Sequence, residues 1–337
     1  NIIASKYSLA NYSFYMGTTN DNIEDIKSID PTQVCGVKVF MGSSTGNLLV
    51  DNQKSLEDIF KESPVIITTH CEDSPMILKN ERKFLEKYGE NIPFSYHSDI
   101  RSREACLKST SSALELARKF NSQLHVLHIS TSEEVQLFEA GPIKNKHITA
   151  EACIPHLFFS KEDYSDKGSQ IKCNPSIKEI ADQKSLIAGL KTGRIDFVAT
   201  DHAPHSVEDK NNLYTDCPSG MPSIQHALMV VLQMVHNGNL KIEDVPKITS
   251  HNVASRFQIK ERGFIKEGYW ADLVLVNMEK EHAVTKNNIL YKCGWSPFEG
   301  YTFNSEIVET IINGKRVYSD GVLLTKEKGK KLIFSRG

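Results

Sequence analysis

The densest run of chemically capable side chains is Thr200-Asp201-His202-Ala203-Pro204-His205, which follows the apolar stretch Ile195–Ala199. An aspartate at the end of a buried strand can ligate a metal and take a proton from water. His205, past Pro204, would face the same mouth. The plainer alternative is an N-cap aspartate with two surface histidines. Lys38 sits between Val37 and Val39. A lysine inside an apolar strand is costly while charged. It either snorkels to water from an edge strand or points inward and turns neutral. A neutral amine can combine with carbon dioxide, and the resulting carbamate is a carboxylate on a long arm, able to bridge two metal ions. His70 and His128 each close an apolar run. Neutral imidazole is the commonest zinc ligand. A lone strand-end histidine is more often a hydrogen-bonded core residue, but two of them, placed like Lys38 and Asp201, point toward a metal cluster.

These residues need a scaffold that brings distant strand ends together. Apolar runs at Ala10–Met16, Gly36–Met41, Val65–Thr69, Leu124–Ile129, Ile148–Cys153 and Ile195–Thr200 predict strands, mostly without proline, as buried parallel strands require. Helical periodicity falls between them at Ser55–Lys61, Ser102–Phe120, Ser132–Phe138, Asp182–Lys191 and Ser223–Val235. This alternation reads as α/β with a parallel sheet. In a (β/α) barrel the carboxyl ends of the strands form one functional face, which would gather His70, His128, Glu151 and Asp201. A doubly wound nucleotide fold is less favoured, because neither G-x-G-x-x-G nor a Walker A loop occurs. Beyond Arg262 the pattern changes to short strands, with Asn313-Gly314 as a hairpin turn.

The 337 residues carry 40 basic and 42 acidic side chains, so no basic excess supports nucleic-acid or membrane-surface binding. No apolar run is long enough for a transmembrane helix. Seven scattered cysteines with no CxxC fit free thiols in a reducing cytoplasm. A small-molecule partner is expected, and assembly as a homodimer is left open.

Val37-Lys-Val-Phe-Met-Gly-Ser-Ser-Thr-Gly-Asn, His70-Cys-Glu-Asp, Leu127-His-Ile-Ser-Thr, Pro155-His-Leu, Asn174-Pro and Ala199-Thr-Asp-His-Ala-Pro-His occur in that order. Together they resemble the dihydroorotases among the cyclic amidohydrolases, from about Leu9 to the carboxyl end. The resemblance implies a TIM-like (β/α) barrel of the metal-dependent hydrolases over 1–261, with a small β-sandwich-like segment over 262–337. It implies two zinc ions, with Lys38 as the carboxylated bridge, His70 and His128 on one zinc, and Asp201 on the other as ligand and general base. Asn174, His205 and Gly220 would hold the substrate. The implied reaction is reversible opening of the dihydroorotate ring to N-carbamoyl-L-aspartate, in pyrimidine synthesis. The nearest alternatives are a hydantoinase, dihydropyrimidinase or allantoinase, and, outside catalysis, an amidohydrolase-like scaffold.

Two features depart from that pattern. The family carries an H-x-H on its first barrel strand, and no two histidines here are separated by one residue. Only six barrel strands are predicted, where closure needs eight. Both gaps lead to the expectation that strands one and two are absent and that the chain begins inside a longer, active enzyme. Alone, it is expected to bind the first zinc poorly and to turn over little substrate. His156 is expected to be structural. His125, out of phase with His128, is expected to face the helices.

Overall fold

A computed structural model describes residues 2–42, 48–324 and 327–336. Ser43–Asn47 of the first motif and Lys326 of the basic tail lie outside the described residues. Six parallel strands, β1 (Tyr15–Gly17), β2 (Gly36–Phe40), β3 (Ile67–His70), β4 (Leu124–Val126), β5 (Ile148–Cys153) and β6 (Phe197–Ala199), pair in chain order. Each neighbour in the sheet is the next in sequence, as in barrel winding; a doubly wound sheet reverses direction at its centre. The sheet is not closed among the described residues, so β1 and β6 are its edges.

All six predicted strands occur. The first begins later than its apolar run because residues 10–14 are occupied elsewhere: Tyr12 donates to the Lys330 carbonyl and accepts from Leu332, at 3.0 and 2.8 Å. Helices at Gln53–Glu62, Arg103–Phe120, Ser132–Gln136, Ile180–Thr192 and Ala227–His236 match the predicted ones. A fifteen-residue helix at Ser74–Tyr88 does not figure among them. Ile77 is its one buried residue, and Met76, Phe84, Leu85 and Tyr88 pack beside it against Ile92, Ile100 and Tyr214, a stripe interrupted in sequence by the charged run over 79–83. Asp73 caps its first turn by accepting from the Met76 amide, and Pro75 fits where no amide is needed.

The register sorts the strand residues into two faces. Lys38 lies level with Gly17 and Thr68, Thr68 with His125, and His125 with Thr149. Neighbours in such a row project from the same side of the sheet. Val37, Val39, Leu124 and Val126 project from the other side, into a core shared with Ala113, Leu116 and Ala117 of the Arg103–Phe120 helix. His125 is therefore on the inner face with Lys38, not against the helices as its phase with His128 suggests. The strand ends at Val126, and His128 adopts a φ of 38°, which breaks the alternation between them. The inner floor is sealed by Cys35, Ile66, Phe197, Phe257 and Phe334.

Beyond the parallel sheet, β7 (Leu273–Asn277), β10 (Glu306–Ile312), β11 (Lys315–Ser319) and β12 (Val322–Leu323) form an antiparallel sheet, with β8 (His282–Ala283) and β9 (Thr302–Phe303) as a separate pair. Asn313 and Gly314 both have positive φ, 54° and 79°, giving the type I′ geometry expected between β10 and β11. An apolar groove of about 890 Å³ runs between edge strand β6 at Val198, Leu228 and Val231 of the Ala227–His236 helix, and Val274 of β7.

Leu124 is fully buried between the sheet and its helices. Leu124→Ala should lower unfolding stability by about 3 kcal/mol, read as a shifted urea midpoint with an unchanged m-value.

Candidate active site

Lys38 projects from the middle of β2, and the carboxyl ends of β3, β4 and β6 deliver His70, His128 and Asp201. His70 is the last residue of β3, while His128 and Asp201 stand two residues beyond their strands. Both of the latter adopt left-handed backbone, with φ of 38° and 46°. Histidine and aspartate tolerate this region better than bulkier residues do, but it still costs free energy that the surroundings must hold in place. At His128 they do so on both sides: Leu127 donates to Thr69 and Ile129 donates to Glu151, at 3.1 and 2.9 Å.

The Nδ1 of His70 and the Nε2 of His128 face each other at 3.0 Å. On its far side, His70 Nε2 lies 2.9 Å from a Glu72 carboxylate oxygen. An ionised carboxylate only accepts, so Nε2 carries the proton and Nδ1 presents a lone pair. Burial pushes both imidazoles below their usual pKa, and the nearby Lys38 charge lowers both further. They are therefore neutral at pH 7. A tetrahedral zinc held by two such nitrogens would set them about 3.3 Å apart, a few tenths of an ångström from the observed spacing. A carboxylate behind a ligating histidine is the usual way of fixing its tautomer. The donor types thus fit a divalent cation between the two rings. Among the described residues no group of three His, Cys, Asp or Glu side chains stands ready to hold a metal ion. A full coordination shell would need Lys38, a donor only as its carbamate, or ligands from elsewhere.

Burial also lowers the Lys38 pKa, opposed by the negative charges of Glu151 and Asp201. Its ammonium lies 4.8 Å from the Phe40 ring centre. Asp201 shows the complementary shift. Desolvation pushes its carboxyl up to about 6, with Lys38 working against the rise and Glu151 and Glu72 adding to it. Lys38 therefore senses His70, His128 and Asp201 alike, and the four residues share one electrostatic site.

The remaining predicted residues, Asn174, His205 and Gly220, sit in the loops after the strands. The Asn174 side-chain oxygen is buried and has no partner, an unmet acceptor that costs about 1–3 kcal/mol unless a ligand donates to it. His205 Nε2 donates to the Ser219 carbonyl at 3.2 Å. Gly220 has a φ of 132°, and a Cβ there would fall 2.7 Å from the Ala203 carbonyl oxygen. Only glycine fits this approach. His156 donates to the Pro175 carbonyl at 2.9 Å, deep under the loop.

Several participants have roles that the sequence does not spell out, although Glu151 is expected at the strand-end face and Glu72 stands in the His70-Cys-Glu-Asp run. Glu72 is one: burial alone would raise its pKa, but the Arg101 guanidinium and the His70 hydrogen bond outweigh that and hold it at about 2. It stands two residues after His70, and that spacing is the only available signal. Glu151 is clamped by His125 at 3.0 Å, with the His125 ring stacked on Phe197. Behind Gly220 lie two buried lysines. Lys210 donates to the Pro218 and Gly220 carbonyls at 2.9 and 3.0 Å. Lys172 donates to those of Tyr214 and Cys217 at 2.6 and 2.5 Å. Desolvation brings Lys172 down to about 8. Among the described residues neither lysine forms a salt bridge. Their spacing of 38 positions and their dependence on carbonyl partners hide them from pattern reading.

Because the folded-state pKa of Glu72 lies below its unfolded value near 4.5, its contribution to stability is complete above that value and is lost as pH falls toward 2. Glu72→Gln should flatten the acid limb of stability between pH 5 and 2, measured by urea unfolding at stepped pH. An unchanged limb would contradict the assignment.

A profile described as the Amidohydrolase family matches residues 110–317, more than half of the chain. The dihydroorotase of Pyrococcus horikoshii is 29% identical, over 90% of this chain and 66% of its own length. That of Methanosphaera stadtmanae is 30% identical, over 94% of this chain and 72% of its own. The L-hydantoinase of Arthrobacter aurescens superposes with a TM-score of 0.87 at 22% identity, over 96% of this chain and 73% of that one. The chain thus spans about two thirds of the length of the curated relatives it matches. With a family profile over more than half of its length and these relatives, the chain belongs to the amidohydrolase family, on the side of its dihydroorotases.

Proposed function

We propose that this chain forms the catalytic body of a zinc-dependent dihydroorotase that acts in the cytoplasm. The observation that carries the reading is the pair of neutral imidazoles of His70 and His128, backed by Glu72 and sharing one mouth with Lys38 and Asp201. Residues 1–261 would be the catalytic barrel domain and 262–337 its β companion. The six strands would be the last six of an eight-stranded barrel. The exposed edge of β6 and the apolar groove beside it support this, since an unpaired edge next to apolar surface calls for a covering segment. The H-x-H ligands of the first zinc would arrive with such strands. Lys38, His70 and His128 would serve the second zinc, with Lys38 as a bridging carbamate and Asp201 on the first.

When bound, zinc would polarise the ring carbonyl and make water acidic enough to attack it at neutral pH. The protein handles the proton and the ring. Asp201, with a pKa near reaction pH, accepts the proton of the attacking water and delivers it to the amide nitrogen as the ring C–N bond breaks. The buried Asn174 oxygen accepts from a ring N–H. Gly220 lets the backbone approach the ring face, and His205 stands beside it. The two lysines behind this loop favour an anionic substrate. Dihydroorotate has a carboxylate that dihydrouracil and hydantoin lack.

The zinc-loaded protein should open dihydroorotate and leave dihydrouracil, hydantoin and allantoin unchanged, as followed by loss of ring absorbance and by product chromatography. Turnover of dihydrouracil without dihydroorotate would overturn the substrate assignment. Asp201 must be ionised to accept the proton during ring opening and protonated to donate it during closure. Ring opening should therefore rise with pH through an apparent pKa near or below 6, because a bound cation draws it lower. Ring closure should fall over the same interval. Parallel limbs in both directions would remove Asp201 from the proton transfer.

A further inference from the structure

At the end of the sheet opposite the His70–Asp201 mouth, the amino-terminal ends of β3, β4 and β5 open onto a groove of about 800 Å³. Five cationic side chains line it, Lys61, Lys144, Lys146, Arg256 and Arg336, and among the described residues no Asp or Glu side chain does. In a chain with slightly more acidic than basic residues, such a one-sided lining is a local departure.

The five cations are not equivalent. Lys146 is neutralised within the fold by Asp196 at 2.8 Å. Lys61 has an exposed partner, Glu62, which is not part of the groove wall. Arg256 donates to Gln123 and to the carbonyls of Leu124, Lys146 and His147. Arg336 donates to the carbonyls of Val34, Cys35 and Phe257. These acceptors are neutral, and among the described residues neither guanidinium forms a salt bridge and the buried Arg256 Nε has no partner, although Asp196, already paired with Lys146, acts on Arg256 through space. The carbonyls fix both guanidiniums in place, which spares a ligand the cost of ordering them. Lys144 is exposed on the rim and supplies a mobile donor. Ser63, Asn121 and Ser335 add short polar groups.

We infer that this groove is a second ligand site, separate from the catalytic mouth, that takes a small polyanion of the phosphoryl class. Fixed guanidinium charge together with flexible ammonium donors is suited to tetrahedral oxyanions. The volume exceeds that of a single phosphate and admits a diphosphate or a nucleoside diphosphate.

The test is calorimetric titration of the whole chain with pyrophosphate and, separately, with ADP. The protein is first stripped with a chelator so that no metal at the mouth captures the anion. Saturable binding that weakens as salt rises from 50 to 200 mM is expected. Lys61→Ala combined with Lys144→Ala, both at the rim, should weaken it about tenfold without moving the thermal midpoint, and His70→Ala should leave it unchanged. Tighter binding of ADP would identify a nucleotide as the source, and equal binding a free phosphate. Absence of saturable binding below 10 mM, or binding indifferent to the double substitution, would overturn the inference.

Discussion

The facing nitrogens of His70 and His128, 3.0 Å apart, are the contact around which the surrounding groups are arranged. Burial keeps both rings neutral, with one N–H each, at neutral pH. Glu72 dictates which nitrogen of His70 keeps its hydrogen, and Arg101 keeps Glu72 ionised despite complete burial. The strained backbone at His128 and Asp201 follows from the same demand. A regular strand would carry these side chains past the mouth, whereas a left-handed residue turns them back over it. Each of these features is costly when taken singly. Together they hold two neutral imidazoles and a carboxyl in fixed places, which is what the proposed cation-assisted proton transfer would require.

The parallel-strand plan is plain in the sequence because each inner strand is a short β-branched run between polar breaks. Locating the strands also fixed where the candidates fall: Lys38 within β2, His70 at the end of β3, and His128 and Asp201 two residues past β4 and β6. Legibility fails where tertiary context decides. The Ser74–Tyr88 helix buries one residue fully and sets its apolar face, Ile77, Phe84, Leu85 and Tyr88, beside a dense run of charges, so its cap is its plainest signal. His125 reverses its expected side because the alternation stops at Val126, and no periodicity records where a strand ends. Lys172 and Lys210 are ordinary lysines in sequence. Their burial and carbonyl partners exist only once the loop from Tyr214 to Gly220 is folded over them.

Gly42 shows how close the two metal-side loops must come. A Cβ at that position would lie 1.6 Å from the Glu72 carbonyl oxygen, so the loop after β2 rests directly on the loop after β3. The approach joins the Lys38 and His70 strands just beyond their last ladder contact, Phe40 against His70. The positions of the amine and the imidazole are thereby coupled through backbone, with no side chain between them.

The floor of the sheet is built from both extremes of the described chain. Phe334 packs with Cys35 and Ile66, and Arg336 grips the carbonyls of Val34 and Cys35 across 301–302 positions. Contacts of such sequence separation close only after the loop between them has been ordered, and chains dominated by them fold slowly. The inner face would then stay open to water until late in folding, and its aromatic floor would be the last part of the core to become dry.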